Sequence, residues 1–215
     1  MERNAFLSRV ARATLTADLP ESPRPSPDLP DLGPADMVAM FRSQAQAAHA
    51  VVHGPVTRHG AVRVVSSIAA GHDAMRFIAW DDLPVPGVPS ALLASGMVRV
   101  DHEVPPGPRD NLPYADVEVG VTGSDGALAE SGSLILVHGP GRARMASLVP
   151  EIHIALLDVA SIARSLAHWA RENPDLVAET TNLVLVTGPS RTADIEQQLN
   201  LGVHGPRHVH IVMIR

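Results

Sequence analysis

Neither cysteine nor lysine occurs in the 215 residues, and aromatic residues make up only 3% of them. Without cysteine the chain has no disulfide, no thiol nucleophile and no thiolate ligand for an iron–sulfur cluster or zinc knuckle. Without lysine it forms no Schiff base and carries no P-loop lysine, which excludes pyridoxal chemistry and ordinary P-loop ATP chemistry. With so few aromatics, the core must be built from Val, Leu, Ile and Ala. No run approaches eighteen apolar residues, so no membrane span is expected. No secretory apolar region follows the N-terminus, and the chain reads as cytoplasmic. A net charge of −6 argues against nucleic acid as the main partner.

What is present fits one α/β domain with an N-terminal extension. Residues 1–17 read as a short amphipathic helix carrying Arg3, Arg9 and Arg12. Pro20, Pro23, Pro25, Pro27, Pro30 and Pro34 make residues 18–36 an extended strap. The domain proper is expected over 37–215. A helix is expected from Met37 to Val52, capped by Asp36 and stopped by Gly54-Pro55. Val64 to Gly71 is ambiguous. Met75 to Trp80 and Met97 to Val100 read as strands, with a short helix at Ser90 to Ser95 between them. Further strands are expected at Val117–Val121, Ser133–Val137, Ile152–Leu157, Leu183–Val186 and Val209–Ile214. Helices are expected at Arg144–Leu148, Ser161–Glu172 and Ala193–Leu201, and Ala127–Glu130 is helical at most briefly. Continuous apolar strands alternating with helices predict a layered α/β fold with a largely parallel sheet, covered on both faces. Ligands in such folds sit beyond the strands' carboxyl ends.

Two segments carry candidate chemistry. In Leu183–Glu196 a strand runs into Thr187-Gly188-Pro189, then Ser190, Arg191 and Thr192 at an expected helix start. Asp194 and Glu196 fall in the first turn of that helix. Free N–H groups, the helix dipole and Arg191 would together hold an anion or carboxylate. Capping explains the hydroxyls and acids equally well and leaves Arg191 unexplained. In the second segment Thr122, Asp125, Glu130 and Ser133 follow a strand. Glu130, flanked by apolar residues, is the candidate acid or base. The run Ile135–Arg142 echoes Val184–Arg191, and the two Gly-Pro turns would face one crevice. His204, His208 and His210 form H-x3-H-x-H, but no further ligand set accompanies them, and no metal or cofactor is expected. His153, inside an apolar strand, reads as a core histidine. No G-x-S-x-G elbow and no complete dinucleotide fingerprint are present.

Three motifs resemble one family. Ala115-Asp116-Val117 through Ala129-Glu130-Ser131-Gly132-Ser133-Leu134, Ser147-Leu148-Val149-Pro150 with His153-Ile154, and Thr187-Gly188-Pro189-Ser190 through Glu196 followed by Gly202 to Pro206 are similar, in order, to segments of the LUD domain, the lactate utilization protein C family. The resemblance implies a fold of the sugar-phosphate isomerase and coenzyme A transferase type. It implies a non-redox role in oxidising L-lactate to pyruvate in bacteria, beside two iron–sulfur oxidoreductase partners. From the residue reading above and their place in these motifs, a small carboxylate, or the partners, would bind among Thr122, Asp125, Glu130, Ser190, Arg191, Thr192, Asp194, Glu196 and His204. Arg191 would pair the carboxylate and Glu130 would handle a hydroxyl. The alternatives are a stand-alone isomerase- or transferase-like enzyme on a phosphorylated or acyl small molecule, and an assembly protein without a ligand.

Overall fold

The structure, a computed structural model, describes residues 3–15, 32–101, 116–180, 182–193, 199–201 and 205–215. The chain divides into two compact units, Met1–Asp31 and Leu32–Arg215. The first contains helix α1 (Arg3–Leu15).

In the second unit the order is α2 (Pro34–Ala47), β1 (Val51–Val56), α3 (Arg58–Gly71), β2 (Arg76–Ala79), α4 (Gly87–Ala94) and β3 (Val98–Arg99). It continues with β4 (Val119–Gly123), β5 (Gly126–Leu128), β6 (Ser133–Val137), α5 (Met145–Leu148), β7 (Ile152–Asp158) and β8 (Ile162–Ala163). It ends with α6 (Leu166–Glu172), α7 (Pro174–Glu179), β9 (Leu183–Val186), β10 (Arg191–Ala193), β11 (Leu199–Leu201) and β12 (His208–Ile214). No helix among the described residues is long and apolar enough to cross a membrane.

Six strands form a sheet in the order β1-β12-β7-β4-β2-β3. Every neighbouring pair in it is parallel. Its central strands are buried along nearly their whole length, which is why they read as long apolar runs. Alternation along β7 divides the core. Ile152, Ile154 and Leu156 join Ala61, Val65 and Ile68 of α3 and Val88 and Leu92 of α4. Ala155 and Leu157 join Phe41 and Ala45 of α2 and Ala127 and Leu134 of a second sheet. That second sheet runs β8-β5-β6-β9, with β5–β6 and β6–β9 antiparallel. The result is three layers, a parallel sheet between a helical layer and a smaller mixed sheet with its own helices.

The structure corrects several local expectations. Helix α2 starts at Pro34 behind Gly33, so Asp36 lies in its first turn and is not the cap. It ends at Ala48 and a left-handed His49, and Gly54-Pro55 belongs to β1. Val64–Gly71 is the later part of α3, whose N-cap Thr57 accepts from Gly60 N at 3.1 Å. Ala127 lies in strand β5 and not in a helix, because its backbone pairs with both β6 and β8. The helix expected from Ser161 begins only at Leu166, since Ile162 and Ala163 are committed to pairing with β5. No helix occupies 193–201 among the described residues; β10 and β11 form an antiparallel pair there, Arg191 opposite Leu201. Strand β9 lies outside the parallel sheet.

Candidate functional site

A polar cluster gathers beyond the carboxyl ends of β2 and β4. Trp80 follows β2 directly, is 2% exposed, and its Nε1 donates to Ala143 O at 3.1 Å. The Arg142 guanidinium lies 5.2 Å from the centre of that ring, a cation–π distance. Arg142 also donates through Nε and Nη2 to Asp82 at 2.7 and 2.6 Å, and through Nη1 to Asp125 at 2.6 Å. Asp125 accepts in addition from Val137 N at 2.8 Å, which ties the turn after β4 to the end of β6. Asp82 is half-exposed, whereas Asp125 is largely covered.

Two histidines lie deeper. His138 sits edge-on to Trp80, ring centres 5.7 Å apart, and its Nδ1 is 2.9 Å from Asn182 Oδ1. The amide oxygen can only accept, so Nδ1 carries the proton and Nε2 presents a lone pair. That Nε2 is buried and has no hydrogen-bond partner. His153 is fully buried, with Nε2 2.9 Å from Thr122 Oγ1 and Nδ1 unpartnered. Burial pushes His153 down to about 4, helped by the nearby His138. Burial also lowers His138. A buried polar atom without a partner costs about 1–3 kcal/mol, and two such nitrogens lie in this cluster.

Of the residues expected from sequence, Thr122 and Asp125 belong to this cluster. Glu130 stands at the opposite end of β5, where Oε1 receives Arg164 Nε at 3.0 Å. The antiparallel pairing of β6 with β9 sets the ends apart. It places Thr187 beside Ser133, Oγ1 to Oγ 2.6 Å, on the Glu130 side, and Asn182 beside His138 on the Asp125 side. The two Gly-Pro turns therefore lie at opposite ends of the β6–β9 pair and do not face one crevice. Ser190 N donates to Pro206 O at 2.9 Å. Arg191 and Thr192 lie in strand β10 and not at a helix start. Asp194, Glu196 and His204 lie outside the described residues. Trp80, His138, Arg142 and Asn182 were not singled out by the sequence as site residues. The signal available was Trp80-Asp81-Asp82 at the end of a strand and the His138–Arg142 run inside the echo. Glu130→Gln is expected to change stability by less than about 1 kcal/mol in a urea melt, because the pair with Arg164 is partly solvated.

A cavity of about 440 Å³ opens elsewhere, at the amino ends of β4, β7 and β12. Among the described residues, Asp116, Glu118 and Glu151 line it against one cation, Arg207. That excess of negative charge disfavours an anionic ligand, so the Arg142 cluster is the better candidate for one.

The LUD domain model matches residues 38–214. The chain belongs to the LUD domain family. Lactate utilization protein C of Geobacillus sp. (strain WCH70) is 37% identical over 113 residues, 49% of this chain and 46% of that protein. Lactate utilization protein C of Halalkalibacterium halodurans is 31% identical over 159 residues, 70% of this chain and 68% of that protein. Against the Geobacillus relative, then, the LUD chain aligns over about half of the relative's length. A crystal structure of a DUF162 family protein from Deinococcus radiodurans superposes with a TM-score of 0.63 at 22% identity, over 86% of this chain and all of that one. That likeness supports the fold of this LUD chain.

Proposed function

We propose that this LUD chain is a non-redox component of lactate utilization that binds a small 2-hydroxy carboxylate at the Trp80–His138–Arg142 cluster. The observation that carries the reading is the His138 Nε2 lone pair, buried without a partner beside an arginine. The ligand carboxylate takes the Nε/Nη2 edge of Arg142 by displacing Asp82, the more exposed of its two partners, in a bidentate pair. The ligand hydroxyl donates to His138 Nε2, whose neutral state the burial maintains. Thr122 and Asp125 act in this scheme as supports, Thr122 fixing His153 and Asp125 fixing Arg142. Conversion of a 2-hydroxy acid to a 2-oxo acid releases two electrons and two protons, the hydroxyl proton going to His138 Nε2 and the C2 hydrogen leaving with the electron pair to an external acceptor. The LUD chain has no cysteine for a cluster, so iron–sulfur partner subunits take the electrons. The name shared by the relatives supports the pathway. The alternative of an enzyme acting on a phosphorylated molecule rests on fold analogy alone, and an ordered phosphate at Ser190–Thr192 would favour it.

Titration calorimetry with L-lactate tests this. Arg142→Ala is expected to weaken binding at least about tenfold, as loss of a charge-assisted pair does. His138→Phe, which keeps the ring volume, is expected to weaken it too. Unchanged affinity in both folded variants sinks the assignment. Co-purification of iron–sulfur proteins with the tagged chain tests the partner half.

A further inference from the structure

Strand β1 is an edge of the parallel sheet, and a second cavity lies between it and α3. His53 and Val56 of β1 and Arg63, Val64, Ser67 and Ile68 of α3 line it, and its volume is about 320 Å³. Val56, Val64 and Ile68 supply an apolar wall. Arg63 and Ser67, one helical turn apart, share a face of α3. Among the described residues Arg63 makes no hydrogen bond and no ion pair, unlike Arg42, Arg76, Arg99, Arg142, Arg164 and Arg207.

His53 gives this cavity a second polar function. Its Nε2 lies 3.0 Å from Nδ1 of His210 on the neighbouring strand. The ring centres are 5.3 Å apart and the planes differ by 16°. The rings therefore meet edge to edge in nearly one plane, as an N–H···N hydrogen bond requires. No metal ion fits between two nitrogens already in hydrogen-bond contact. One added proton on His53 keeps this bond, with His53 as donor, whereas protonating both rings breaks it. The groups that face the pair are Arg42 from α2, His72 after α3, His208 on β12 and Arg63 across the cavity. Among the described residues none is a carboxylate. An anion beside Arg63 would supply the counter-charge that a protonated His53 needs.

We propose that this cavity is a second ligand site, taking a small organic carboxylate whose anionic end pairs with Arg63 and whose arrival draws a proton onto His53. The apolar wall and the size favour an organic acid over an inorganic oxyanion. The site is separate from the Arg142 cluster and does not depend on the function proposed for it.

Calorimetry on the full chain with butyrate as probe tests it, run in two buffers of different ionisation enthalpy. The expected result is binding that Arg63→Gln weakens at least about tenfold and Arg142→Ala leaves in place. Heat should differ between the buffers, reporting proton uptake, and affinity should rise from about pH 8 to about pH 6. His53→Gln should abolish the buffer difference while binding persists. Equal affinity in Arg63→Gln, or no butyrate binding to the parent chain, overturns the site. Inorganic phosphate binding as tightly as butyrate reduces it to surface attraction and overturns the organic-acid assignment. Buffer-independent heat overturns the role of His53.

Discussion

Gly120→Ala is expected to be among the most damaging single methyl additions at the described glycines of this protein. Gly120 lies in the middle of β4, opposite His153 of β7. A Cβ there would stand 1.8 Å from Ala146 O, 2.8 Å from its carbonyl carbon and 3.0 Å from Pro150 Cγ. The first two obstacles are backbone, so no rotamer change relieves them. Helix α5 must lift off the sheet. Its lead-in loop carries His138 and Arg142, so the candidate site moves with it. Overpacking typically costs about 1–3 kcal/mol, and an immovable carbonyl puts this case at or above the top of that range. A fall in Tm of roughly 6–12 °C is expected for a unit of this size. Gly71→Ala is the control. Gly71 closes α3, and nothing lies within 4 Å of its added Cβ. That variant should be neutral or more stable by up to about 1 kcal/mol, because alanine loses less backbone freedom in a helix. If Gly120→Ala melts within a degree of the parent, α5 does not pack on β4 as described.

The same contact shows what sequence could and could not convey. The parallel sheet was legible because β4, β7 and β12 are buried on both faces, and their long apolar runs state that directly. The second sheet was not. Gly126-Ala127-Leu128 is too short for a period of two to register. Its strand state is enforced from outside, by pairing with β6 and β8 and by the Trp169 indole, which fills the space a Cβ at Gly126 would take. Residues 191–201 misled for the opposite reason. Their composition has good helical spacing, yet Arg191 to Ala193 pairs with Leu199 to Leu201. Tertiary pairing outweighs propensity differences of a few tenths of a kcal/mol per residue. At the site, Thr122 and Asp125 were found from their position after a strand. His138 and Arg142 were passed over because their partners, Asn182 and Asp82, are distant in sequence. His153 was recognised as a core residue, but its unpartnered nitrogen is a property of packing that spacing cannot express.

Acid should unfold this protein well before its carboxylates are titrated, and the histidines set the window. Burial holds His153 at about 4, and burial together with His53, His72 and His208 holds His210 at about 4. In the unfolded chain both take a proton near the ordinary value of 6.5. Their folded values are depressed, so below 6.5 the unfolded state binds more protons and stability falls with pH, levelling only near 4. Fully buried His153 accounts for up to about 3 kcal/mol across that window, and His210, more open to solvent screening, for less. His53 and His138 shift in the same direction and add to the slope. A loss of roughly 3–6 kcal/mol between about pH 6.5 and pH 4 is comparable with the whole stability of a small domain. Urea melts at about pH 7.5 and pH 5 measure it. Superimposable midpoints would show that these rings are not buried neutral in the folded state. His153→Gln, which keeps an amide for Thr122, should flatten the profile by up to one proton while leaving the His53–His210 contribution intact. The two rings lie on neighbouring strands but neither perturbs the other's titration, so their effects should largely add. If His153→Gln flattened nothing, the uncharged interior on which the His138 lone pair depends would be lost, and with it the chemistry assigned to the Trp80–Arg142 cluster.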